Sequence, residues 1–305
     1  MKQGPLVVAL VAALAACNGS QGGSSGAPSA SAAGSTAAAP SASTVASATA
    51  PVASTRPKPA LVFGATAPSL ELNAPGAAPG RALRYAATGA AGGRALAITV
   101  TPPNKVSMTM KLGLALDAPE AGAALGFHID HVDLAMNRDV PEGAQKTMLG
   151  RFEKDFSTVV GRVDLAEGRS ARFTQTGGGA TTPPIPWVLL MLHVPLPEAP
   201  VGKGAKWHAT QPIEASGRKG TQKTSYELVA LDGDRIEVEL HGEGEWKAVG
   251  GRATGTTKVD ATVTIDLASP ITQKAGGRIV ENVESTQQMM ASGDTTLDVE
   301  ISPRP

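Results

Sequence analysis

The stretch Phe127-His128-Ile129-Asp130-His131-Val132-Asp133 packs four metal-ligating or proton-shuttling side chains into a short window. A zinc site needs three or four nitrogen, oxygen or sulfur ligands converging on one point. The stretch reads as a strand, which would send His128 and Asp130 to one face and His131 and Asp133 to the other. Those side chains would not converge and no cysteine joins them, so they are expected to decorate a strand. No metal and no cofactor is expected in the chain. Glu237, Glu239, Glu243 and Glu245 form an acidic stripe. A glycosidase sets two carboxylates at a fixed separation about a sugar cleft. Such clefts usually carry aromatic side chains, and aromatics make up only 3% of this chain. The stripe therefore reads as a solvated strand face that keeps a sheet edge from pairing with a neighbour. His193 lies in an apolar run and reads as a hydrogen-bonded core histidine, whereas His208 and His241 are expected to face solvent. Gly22-Gly23-Ser24-Ser25-Gly26 spells G-x-S-x-G, but that motif works only between a strand and a helix. Both flanks here are low in complexity, and no catalytic residue is assigned.

The elements that would position any site are mostly strands. Val106, Met108, Met110, Leu112, Leu114 and Leu116 alternate with Ser107, Thr109 and Lys111, the period of a strand with one buried face. Residues 123–136 read as its hairpin partner. Leu83 and Tyr85, then Ala95, Ile98 and Val100, read as two earlier strands. A helix is expected over about Pro141–Ser157, capped by Asp139, with Met148, Leu149, Phe152 and Phe156 at helical spacing. Val159–Leu165 and Ala171–Thr174 form a hairpin about Glu167-Gly168. Pro186–Val194 is apolar all round and too short to span a bilayer, which takes about 20 residues. Periodicity leaves it a short buried helix or a buried strand, and the flanking prolines favour the helix.

The second half is a series of hairpins. Asp232-Gly233-Asp234 is a good turn. Ile236, Val238 and Leu240 alternate with glutamates, and Val259–Leu267 and Thr295–Ile301 alternate likewise. The fold expected is mainly β: a large curved antiparallel sheet or open barrel of about ten strands, with one amphipathic helix and one short apolar helix covering its apolar face. Two packed sheets are the alternative. Met108, Met110, Leu112, Leu114, Met148, Phe152, Leu189 and Leu192 would line a pocket between sheet and cover. Methionine suits an adaptable pocket, and it is also ordinary core filler.

The amino terminus has Lys2, an apolar run from Leu6 to Ala13, then Leu14-Ala15-Ala16-Cys17, which together make a secretory signal. Leu14-Ala15-Ala16-Cys17 resembles the lipobox of bacterial lipoproteins. The resemblance implies cleavage before Cys17, a diacylglycerol on its sulfur and usually a further acyl chain on the new amino terminus. Two or three chains hold a protein durably on a membrane, where one holds it only marginally. In Gram-negative bacteria an aspartate after the cysteine marks inner-membrane retention, so Asn18 implies the outer membrane. Cys17 is the only cysteine, so no internal disulfide is available.

Residues 18–60 are almost entirely Ser, Ala, Gly, Thr and Pro, a composition expected to stay disordered. Such a tether would span roughly 35–40 Å as a coil. The organisation expected is a signal at 1–16, the lipidated cysteine and tether at 17–60, and a β-rich envelope domain at 61–305. Residues 1–60 carry Lys2, Arg56 and Lys58 and no acid, leaving 24 basic and 27 acidic side chains for the domain. That slightly acidic balance argues against a nucleic-acid partner.

Leu196-Pro197-Glu198-Ala199-Pro200-Val201-Gly202-Lys203-Gly204-Ala205-Lys206-Trp207 follows a Leu-Pro-x-x-Pro-Val-Gly-x-Gly-x-x-Trp pattern. It resembles the junction between two β-rich halves in a family of uncharacterised envelope lipoproteins, a family that implies fold and location but no activity. The function expected is non-enzymatic: a membrane-anchored protein binding an acyl chain or other hydrophobic molecule. The alternatives are a structural or protein-interaction module with a packed core, whose partner would be an envelope protein, and, less favoured, an envelope hydrolase.

Overall fold

Strict alternation of apolar and polar residues, repeated from hairpin to hairpin, produces one sheet. A computed structural model describes residues 67–86, 93–102, 107–117, 124–136, 141–166, 168–176, 185–215, 218–248, 251, 253–285 and 293–304. The strands are β1 (Ser69–Ala74), β2 (Arg94–Thr101), β3 (Met108–Leu116), β4 (Ala124–Met136), β5 (Val160–Ala166) and β6 (Arg169–Thr176). They continue with β7 (Lys206–Ala215), β8 (Arg218–Asp232), β9 (Arg235–Ala248), β10 (Ala253–Asp266), β11 (Lys274–Ser285) and β12 (Gly293–Pro303). The helices are α1 (Glu142–Phe156) and α2 (Ile185–Leu192).

All twelve strands join one antiparallel, unclosed sheet in the order β1-β7-β8-β9-β10-β11-β12-β2-β3-β4-β5-β6. Two meanders, β2–β6 and β7–β12, are thus fused through β12 against β2. The fold is the curved open sheet with two helices that the residue pattern implied. Sheets of this width twist and curl rather than lie flat.

The core lies on one face. A single cross-strand row runs through ten strands: Leu72, Trp207, Tyr226, Leu240, Ala261, Gly277, Val299, Ile98, Met110 and Leu134. Trp207 and Tyr226 stack within it, ring centroids 5.5 Å apart. β9 shows why the strands form, since every second residue from Ile236 to Trp246 is buried and every intervening one exposed. Gly233, with φ +54°, turns β8 into β9 at a backbone angle other residues resist. α1 lays Met148, Phe152 and Phe156 against β4, and α2 packs against β10 and β11.

Several local expectations change. Leu83 and Tyr85 are buried but belong to an irregular segment, tied by Arg81 to Val201 through paired backbone hydrogen bonds of 2.9 Å. Its prolines and glycines deny it a regular ladder. β1, six residues of mixed character, was not legible. Pro141 caps α1 instead of entering its first turn, and Asp139 lies outside the described residues. Val194 and His193 fall beyond the end of α2.

Candidate functional site

On the buried face of the sheet, the most organised chemistry surrounds the exit of α2. Thr272 donates its N–H to the Leu192 carbonyl at 2.9 Å, and Arg94 Nε donates to the Thr272 carbonyl at 2.8 Å. Tyr85 Oη donates to the Val194 carbonyl at 2.7 Å, and Trp207 Nε1 donates to the Pro195 carbonyl at 2.9 Å. His193 Nδ1 lies 2.6 Å from the Pro270 carbonyl. A carbonyl only accepts, so the proton sits on Nδ1. The rings of Tyr85 and Phe173 flank the imidazole, each 5.6 Å away. His193 is the core histidine its apolar context implied. Burial lowers its pKa to about 4, against a smaller opposing effect of the Pro270 bond. Burial likewise pushes the Tyr85 and Tyr226 hydroxyls above the ordinary phenol range and lowers the Arg94 guanidinium. Together these bonds latch the end of the cover to the sheet.

At the other end of β9 the buried face turns polar. Gln222, Gly244, Thr257 and Glu281 occupy one cross-strand row. Arg218 reaches from β8 across β9 and β10, lays its guanidinium over the Trp246 ring at 4.2 Å, and pairs with Glu281 on β11. Cation–π attraction and a desolvated ion pair thus share one cation. Sequence reading missed this row, because Gln, Thr and Glu alternating on strands look like a wet face. The available signal was the run of glycines at buried positions, Gly242 and Gly244.

The expected pocket residues are distributed along the sheet. Met108, Met110, Leu112 and Leu114 all lie on the buried face of β3, none more than 3% exposed. Met148 and Phe152 stand beside them through α1 on β4. Leu192 is buried at the end of α2, over β10 and β11, which β12 and β2 separate from β3. Leu189 lies in α2, but its side chain is outside the described residues. Cys17, the tether and the Gly22–Gly26 motif are outside them too.

The histidine–aspartate stretch corrects one expectation. His128, Asp130, His131 and Asp133 all face outward, because the β3–β4 register shifts between Gly113, paired with His131, and Leu114, paired with Ile129. Asp130 is the extra residue of a β-bulge, and a bulge inverts the alternation beyond it. Sharing a face does not make them a cluster: His128 bonds Asp117 at 2.9 Å, Asp130 pairs with Arg304, and Asp133 accepts the Leu134 N–H at 2.8 Å. Among the described residues no group of three such side chains is placed to hold a metal ion.

The acidic stripe is solvated as expected but not on an edge. β9 lies inside the sheet, where Glu243 is flanked by Lys223 and Lys258, so opposite charges pair across strands. His241 is exposed and bonds Asp260 at 2.7 Å, while the half-buried His208 bonds Asn73 at 2.8 Å. A groove of about 520 Å³ opens on this outer face, lined by side chains that include Lys219, Thr221, Glu245, Lys247 and Asn282. Its charges are mixed.

Comparison with protein families, with curated proteins and with solved structures gives no match to this chain.

Proposed function

We propose that this chain is a non-enzymatic lipoprotein of the bacterial envelope, held at the outer membrane by acylated Cys17, whose sheet receives an aliphatic chain beneath α2. The observation that carries the ligand reading is the apolar row crossing ten strands of an unclosed sheet, covered by short helices instead of a second sheet. A ligand would enter by lifting α2, which packs on β10 and β11 and is latched at its exit. The shifted titrating groups His193 and Tyr85 are closed in the core on backbone carbonyls, a structural use rather than a catalytic one.

A second reading, a module with a filled core that binds an envelope protein, is favoured by the near-complete burial of Met110, Leu112 and Leu114. Native cores reach crystal-like density. Mass spectrometry of protein purified from its native host separates the two. The carrier reading expects an acylated amino-terminal Cys17 peptide and a stoichiometric aliphatic compound retained by the soluble Cys17→Ser form. Acylation without any retained compound selects the packed module. An unacylated Cys17 removes the anchor.

A further inference from the structure

Three buried polar atoms at the far end of β9 have no hydrogen-bond partner among the described residues: Gln222 Oε1, Thr257 Oγ1 and Trp246 Nε1. Each residue is at least 97% buried. A buried polar group without a partner is destabilising, and its persistence calls for a cause. The three lie close together. Gln222 stretches over β9, where a Cβ on Gly244 would collide with its Oε1, and Gly244 pairs directly with Thr257 on β10. The Trp246 indole lies on Gly255, where a Cβ would collide with Cε2, the carbon bonded to Nε1. Gly255 and Thr257 stand two apart on β10 and so share its buried face, which places the three side chains side by side. Two glycines on the buried face thus hold open the space these side chains occupy.

We propose that this row is a head-group subsite for an uncharged, hydroxyl-bearing amphiphile, a proposal that rests on the aliphatic-chain reading above. The polarity of the atoms selects the head. Gln222 Nε2 donates to the Lys223 carbonyl at 3.2 Å, which leaves Oε1 as a pure acceptor. Trp246 Nε1 is a pure donor, and the Thr257 hydroxyl serves as either. A hydroxylated head can donate to the first, accept from the second and exchange with the third. A carboxylate or phosphate brings acceptors only and would oppose Oε1. The Arg218 charge is met by Glu281 within the same face, so no net charge is offered to an ionic head. The adjoining face supplies the tail's environment through Val259, Ile279 and Leu297 in the next row.

The test is equilibrium dialysis of the delipidated full-length protein in detergent against radiolabelled 1-monooleoylglycerol and radiolabelled oleate, which share a tail and differ in the head. Wild type should bind monooleoylglycerol about tenfold more tightly than oleate at pH 8. The double variant Gln222→Leu/Thr257→Val should lose that preference and keep its oleate affinity. Trp246→Phe, which keeps an aromatic side chain but removes the indole N–H together with part of the ring on Gly255, should weaken monooleoylglycerol severalfold more than oleate and serves as the test if the double variant does not fold. Equal binding of monooleoylglycerol by wild type and variants, with oleate bound by all, overturns the subsite and leaves the aliphatic trough standing. Binding of neither probe by wild type overturns the trough and the subsite together.

Discussion

His193→Asn should flatten the acid limb of this protein's stability. In the unfolded chain the imidazole protonates near its ordinary pKa of 6.5, and in the fold burial holds it near 4. Between those values the unfolded state binds more protons, so stability falls as the pH falls. The contribution is fully present above about pH 7. Linkage gives a loss of about 2 kcal/mol at pH 5 and about 3 kcal/mol at pH 4. Asparagine places Nδ2 where the imidazole has Nδ1, so the bond to the Pro270 carbonyl can persist while the titration disappears. The smaller side chain gives up packing against Tyr85 and Phe173, and that cost is independent of pH. The assay is urea unfolding followed by tryptophan fluorescence at fixed ionic strength, from pH 7.5 to 4.5, on the soluble Cys17→Ser form of both proteins. The carboxylates contribute equally to both, so the difference isolates residue 193. Parallel stability curves across that range would refute the reasoning and place the acid sensitivity elsewhere.

Cys17→Ser should leave the domain folded and move it from the membrane to the soluble fraction, as fractionation would show. Leu112→Trp reports on the interior beside Leu96 and Val132: in a filled core it should cost about 1–3 kcal/mol by denaturant unfolding, and in an open trough little. Arg218→Met alone should cost about 3–5 kcal/mol, because it strands Glu281 in the core. Arg218→Met with Glu281→Leu should recover most of that loss in the same assay. Deleting Asp130 should abolish folding by circular dichroism, because it removes the bulge that keeps both halves of β4 facing inward, whereas Asp130→Ala should fold.

Local pattern carried much of this architecture. The burial alternation of β9 and β10, and the α1 stripe of Met148, Phe152 and Phe156, follow from periodicity alone. The bulge at Asp130 did not, since polar residues stand on both sides of it and either phase satisfies the alternation locally. Pairing of β12 with β2, and of β1 with β7, joins residues more than a hundred positions apart, which no local spacing reports. The polar row was hidden for a related reason. Whether Gln222, Thr257 and Glu281 meet water depends on strands brought together only by the sheet. His193 was legible because the apolar run Pro186–Val194 surrounds it in sequence, as the rings of Tyr85 and Phe173 do in space.

The seam between β12 and β2 also orders events in time. Synthesis delivers β2 to β6 before β12, so the early meander waits with β2 as a bare edge. The later meander, finished as far as β11, has a matching bare edge until β12 arrives. Two unpaired edges with apolar faces invite pairing with other chains. A sheet built this way closes only once β12 has been made and has paired with both neighbours, and long-range closure of that kind is slow. A chain stalled before β12 would therefore present both edges at once, and a single strand covers both together when it pairs.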